Sequence, residues 1–179
     1  MKTILQSLLM LVLMTVLTGI VYPLIVTDLG CCLFPSQASG SLIRHGERVL
    51  GSSLLAQKFE EPDLFWPRPS ACDYATVPSG ASNLGPTSAA FAKALSDRRK
   101  TYGDNAPGDL LAASGSGLDP DISPEAALSQ IDRVAASRHL EKGHVQALVM
   151  AHVQPPQFGV FGQSRVNVLA LNLDLAELR

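Results

Sequence analysis

The 179-residue chain carries 14 Lys and Arg against 16 Asp and Glu, a formal charge of −2 with both signs spread throughout, which excludes an electrostatic nucleic-acid partner. Its three cysteines, Cys31, Cys32 and Cys72, write no disulfide framework and have no zinc spacing.

Between Lys2 and Asp28 lie 25 residues without a formal charge. As a helix they would run about 37 Å, enough to cross a hydrocarbon core of about 30 Å with some tilt. Backbone in lipid must satisfy its own hydrogen bonds, so the run reads as a spanning helix. A cleaved signal peptide needs a shorter apolar region and a small-residue site, which Thr27-Asp28-Leu29-Gly30-Cys31-Cys32 does not supply. A lipoprotein cysteine at Cys31 would expect an apolar residue where Asp28 stands. Residues 1–34 are therefore expected to be a retained transmembrane anchor. Thr15, Thr18, Gly19 and Tyr22 share one side at helical spacing, a face where a partner helix could approach, and Pro23 is expected to kink the last turns. Lys2 flanks one end and no Lys or Arg follows until Arg44, which places the amino terminus in the cytoplasm and residues 35–179 outside.

The remaining stretch, about 145 residues, is long enough for one domain with its own core. Pro35 to Gly40 is a short connection, followed by a strand or turn at Val49-Leu50-Gly51 and a helical piece through Leu54, Leu55 and Phe59. Glu60 to Pro86 holds five prolines and reads as ordered loop, with Phe65-Trp66 demanding burial or a partner surface. Thr87 to Tyr102 is expected to be helical, with Arg98, Arg99 and Lys100 suited to its negative end. A short helix spans Asp109 to Ala113. Ser123 caps the next helix, with Pro124 in its first turn and Ala127, Leu128, Ile131, Val134 and Ala135 facing inward. Another helix carries Val145, Leu148, Val149 and His152, and the alternation of Leu169, Leu171, Leu173 and Leu175 reads as a closing strand. The fold class is an α+β domain tethered by a single N-terminal transmembrane helix.

Enzyme signatures fail one by one. Around Ser116 the nucleophile-elbow frame has Ser114 where Gly is required, and Leu118 stands where a phosphate loop needs Lys. Asp119, Asp121 and Ser123 imitate a calcium loop, but Pro124 replaces the required Gly. The four histidines show no metal spacing, and His152 is expected to hydrogen-bond beside the core.

Several stretches are more specific than turns require: Leu17-Thr18-Gly19-Ile20-Val21-Tyr22-Pro23-Leu24, Phe65-Trp66-Pro67-Arg68-Pro69-Ser70-Ala71, Ser79 through Thr87, Ala113 through Pro124, and Gly162 through Leu169. Together, and in this order, they resemble the C subunits of Kdp-type potassium-transporting ATPases over nearly the whole chain. Ala81 and Pro67, often Gly in that family, depart from the pattern, as do Asp121 and Gln163-Ser164. The resemblance implies a non-catalytic accessory subunit in a bacterial inner membrane. Its expected partners are a channel-like potassium-conducting subunit, a P-type ATPase catalytic subunit and the lipid bilayer. It further implies a rise in the catalytic subunit's affinity for ATP, with no covalently bound cofactor. Contact residues to inspect under that resemblance are Gln57, Trp66, Arg68, Ser82, Asn83, Ser114, Ser116 and Asp119. An extracytoplasmic domain, however, stands across the bilayer from cytoplasmic ATP. Two other readings are a tethered hydrolase using Ser114 or Ser116, and a small-ligand binder with Trp66 and Arg68 in its pocket.

Overall fold

A computed structural model describes residues 2–178. The chain divides into two units, Met1–Ser52 and Ser53–Arg179.

In the first unit a continuous helical run covers Lys2–Leu33, 32 residues long and without a buried residue. It comprises α1 (Lys2–Val16), a π-helical turn (Leu17–Val21) and α2 (Tyr22–Leu33). Pro23 opens α2 but lies inside the continuous run, so it withholds an N–H from the turn before it. The expected irregularity is thus displaced to the N-terminal side of the proline. A proline ring collides with the carbonyl four residues back, here that of Gly19, and the widened π turn contains that residue. A single turn, α3 (Pro35–Ala38), leads to a hairpin of β1 (Leu42–His45) and β2 (Arg48–Ser52), reversed at Gly46 with φ +61°. Ser52 Oγ donates to Gly40 O at 2.8 Å and ties the hairpin to the turn before it.

The second unit opens with irregular chain. The helix expected through Leu54, Leu55 and Phe59 does not form: Leu54 is exposed, and the Ala56 N–H leaves its own segment to donate to Leu118 O at 3.0 Å. Glu60 to Pro86 is loop, as its prolines dictate. Then come α4 (Ala89–Tyr102), α5 (Gly108–Leu111), β3 (Asp121–Ile122), α6 (Pro124–Ser129), α7 (Ile131–Arg138), α8 (Lys142–Ala151), β4 (Val153–Gln154), β5 (Arg165–Asn167) and α9 (Val168–Glu177). The antiparallel sheet has β5 at its centre, with Val166 opposite both Ile122 and Val153.

Two expectations are corrected here. The leucines at 169–175 lie on a helix, because Asn167 Oδ1 caps it by accepting from Ala170 N at 3.1 Å. Val168, Leu171 and Leu175 then share one buried face at spacings of three and four. Alternation of leucines fits only the strand period, and on the helix Leu173 falls off the face that Leu171 and Leu175 share; leucine itself favours helix. The helix after Ser123 is also two helices, broken at Gln130, and Leu128 faces outward. The Ser123 cap itself stands, Oγ accepting from Ala126 N at 3.0 Å.

Phe65, Leu110, Ile122, Val134, Val145, Val149, Val166, Leu171 and Leu175 meet in one core, with α8 against α6, α7 and α9. His152 lies beside it, its Nδ1 at 2.9 Å from Leu148 O and its Nε2 at 2.9 Å from Asp174 Oδ2.

Candidate functional site

On the anchor, the Thr15 and Thr18 hydroxyls donate to their own helix, to Leu11 O at 2.8 Å and Met14 O at 2.7 Å. That leaves each oxygen as an acceptor and removes its proton from interhelical use. Tyr22 is exposed, and a Cβ at Gly19 would meet nothing within 4 Å. The face consequently offers close backbone approach at Gly19 and the Tyr22 phenol, and not the threonine protons.

In the second unit the structure gathers some of the expected residues and leaves others apart. Ser114 N donates to Pro69 O at 2.9 Å, joining the serine-rich turn to the proline-rich loop. Ser114 is buried, and its Oγ accepts from Gly117 N at 2.9 Å and Asp119 N at 3.4 Å while lying 3.2 Å from Ser116 Oγ. Ser116 Oγ accepts from Leu118 N at 3.1 Å. These hydroxyls shape a turn, and among the described residues neither hydrogen-bonds to a histidine. Gly117 is required where it is: its φ is +74°, and a Cβ would fall 2.9 Å from Gly80 O. The same Cβ would meet the sulfur of Cys72, whose thiol is held below its usual range by the Ser70 hydroxyl and then by the Gly80 backbone.

Arg68 Nη1 and Asp119 Oδ2 pair at 2.9 Å beside that turn, both partly exposed. Tyr74 donates its hydroxyl to Arg68 O at 2.9 Å, and burial pushes its phenol well up. Gln57 is half-buried next to Ala56, which bonds Leu118, whereas Ser82 and Asn83 are exposed, Asn83 with φ +53°.

Trp66 belongs to a different cluster. Gln130 holds its backbone on both sides, Oε1 accepting from Trp66 N at 2.8 Å and Nε2 donating to Trp66 O at 3.1 Å. Arg133 lies over the indole at 3.7 Å, and Tyr102 meets it edge-on at 5.7 Å. Burial holds the Arg133 guanidinium down to about 10. Trp66, Tyr74 and Tyr102, with Lys58, Glu60 and Asp73, line a cleft of about 380 Å³. Lys58 Nζ closes on Asp73 at 2.8 Å and Glu60 at 3.3 Å, and Arg68 is turned to Asp119 instead.

Gln130, Arg133 and Asn172 are the organising residues that sequence reasoning passed over. The signal was available for two of them, since Gln130 and Asn172 are amides set among apolar helix positions, where a buried amide needs partners. Asp121 also organises more than its likeness to a calcium loop implied. It is paired with Arg165 Nε at 3.2 Å and bonded by Asn167 Nδ2 at 3.3 Å, and burial raises its carboxyl.

The comparisons with known proteins agree with one another. The family described as "K+-transporting ATPase, c chain", KdpC, matches residues 4–177. A "Potassium-transporting ATPase KdpC subunit" of Cereibacter sphaeroides is 48% identical over 166 residues, 90% of each chain. One from Geobacter sulfurreducens is 46% identical over 187 aligned positions, 99% of each. One from Variovorax paradoxus is 49% identical over 179, with 94% of this chain and 93% of the relative covered. With a whole-length family match and near-half identity over nine-tenths or more of both sequences, the chain belongs to the KdpC family.

Proposed function

We propose that the chain is a non-catalytic accessory subunit of a potassium-transporting ATPase. It crosses a bacterial inner membrane once, with its amino terminus in the cytoplasm and its second unit on the far side. Relatives named as KdpC subunits of such an ATPase support the assignment to that complex. The observation that carries the accessory role is the apolar helix Lys2–Leu33, which has no buried residue. A surface of that kind is completed by lipid and by other helices, and Gly19 in the π turn is where another backbone can come closest. The partners are a channel-like potassium-conducting subunit and a P-type catalytic subunit. ATP acts on the chain through the complex: the anchor carries a conformational preference to the catalytic subunit, raising its affinity for ATP.

Gly19→Leu tests this directly. The bulky side chain holds a partner helix away, so the variant is expected to co-purify with less of the other two subunits. The complex that remains should need a higher ATP concentration for half-maximal activity. An intact complex with an unchanged ATP requirement would count against the proposal.

A further inference from the structure

In the second unit, the turn between β4 and β5 exposes three large apolar side chains within four residues: Phe158 at 86%, Val160 at 77% and Phe161 at 67%. The turn is built to hold them outward. Gln157 N donates to Phe161 O at 2.9 Å and Phe161 N to Gln157 O at 2.9 Å, closing the loop on itself. Gly159 N donates to Pro156 O at 2.9 Å and Val160 N to Gln157 O at 3.2 Å, while Pro155 and Pro156 have no N–H to satisfy. Phe158 adopts φ +55°, costly for an aromatic residue, and Gly159 follows at +74°. From Val153 to Ser164 there is no charged side chain.

Exposed rings on a neutral, internally bonded turn suit one medium above others. A protein interface commonly rims its apolar centre with charge and hydrogen-bond partners, and this tip brings no charge and spends the N–H groups of Gln157, Gly159, Val160 and Phe161 internally. The headgroup–acyl boundary suits the opposite, apolar side chains on a turn that leaves few N–H groups to satisfy, with water and headgroups still in reach of its outward carbonyls. The chain also keeps a bilayer within reach. From Leu33, where the apolar helix ends, to Ser53, where the second unit begins, the chain spans at most about 70 Å fully extended. Such a tether turns the membrane into a local partner, so even weak insertion is populated.

We infer that the Phe158–Phe161 turn is a membrane-insertion tip, which enters the interfacial layer of the bilayer that the anchor spans. The three side chains sink to the boundary of headgroups and acyl chains, about 5–10 Å deep, as apolar faces of interfacial segments do. This rests on the anchor reading only for the presence of a bilayer, and it is indifferent to which leaflet the second unit faces.

The test uses the full-length chain in phospholipid nanodiscs, with Phe158→Trp as reporter and Val160→Trp as a second one. The native chain, whose single Trp66 is packed between Arg133 and Tyr102, gives the baseline. In discs with brominated acyl chains, the emission added by either reporter is expected to fall roughly twofold relative to unbrominated discs, as contact with acyl chains at that depth demands. The baseline emission should barely change. Reporter emission that ignores bromine and stays at the wavelength of water-exposed indole would overturn the inference. So would a blue shift appearing only once the other ATPase subunits are added, which would assign the tip to a protein. Failure of the anchor itself is distinct, since the chain would then be absent from the discs.

Discussion

The loop Glu60–Pro86 and the helices α6–α9 lie in the same unit and are held together in opposite ways. The helices satisfy their backbone internally and meet through Val134, Val145, Val149, Leu171 and Leu175, so their cohesion is spread over many apolar contacts. The loop has no ladder. From Pro62 to Trp66 its backbone is bonded mainly by single side chains reaching from the helices and from the break at Gln130. Asn172 accepts from Phe65 N at 2.8 Å and donates to Phe65 O at 2.9 Å, and Gln130 does the same for Trp66. Arg133 donates to Pro62 O and to Leu64 O at 2.8 Å, and Arg138 to Asp63 O at 2.7 Å. Two amides thus act as a substitute strand for two consecutive residues. Distributed packing tolerates local damage, whereas a pinned loop concentrates its stability in a few polar atoms.

The comparison breaks first at Phe65, the one residue that belongs fully to both regions. It is completely buried in the core shared with the helices while its backbone is pinned by Asn172. Phe65→Ala should cost about 3–5 kcal/mol. In detergent-solubilised chain, Trp66 fluorescence and far-UV circular dichroism should report the same lowered denaturant midpoint. Asn172→Leu is the sharper cut, because it keeps apolar bulk on α9 and strands the Phe65 N–H and C=O. A loss of about 2–3 kcal/mol is expected, with the Trp66 signal moving at lower denaturant than the helical signal. Coincident transitions would mean that loop and helices are a single cooperative piece.

Much of this was legible, and what was not had a common cause. The anchor could be read because lipid imposes a length and an apolarity that no other environment demands. The loop could be read from its prolines, and the helix start from Ser123-Pro124. The misreadings at Leu54–Phe59 and Leu169–Leu175 are failures of periodicity where long-range hydrogen bonds decide. Ala56 is claimed by Leu118, and Asn167 turns the chain from strand to helix in one residue. The break at Gln130 has the same origin, since its side chain is committed to Trp66, 64 residues away. Among the candidate residues, the family resemblance named Arg68, Asp119, Ser114 and Ser116, and these lie near one another in the fold. It could not tell that the serines serve the turn, nor that Trp66 depends on Gln130 and Arg133, because those bonds join residues far apart in sequence.

The smallest effect sharpens the comparison from the helical side. Ser123 Oγ accepts from Ala126 N at 3.0 Å, and Ser123 N in turn donates to Asp109 Oδ2 at 2.7 Å. Ser123→Ala removes only the first of these, because the second belongs to the backbone and survives the substitution. The freed Ala126 N–H is an orphan donor at a helix start, which costs about 1 kcal/mol. Since α6 is also held by the buried Ala126 and Ala127, the loss should not propagate to the pinned loop. The far-UV midpoint should fall slightly while the Trp66 emission spectrum of the folded chain stays unchanged. If that spectrum moves instead, the register of α6 controls where Gln130 points, and the two regions depend on each other more closely than their separate modes of cohesion imply.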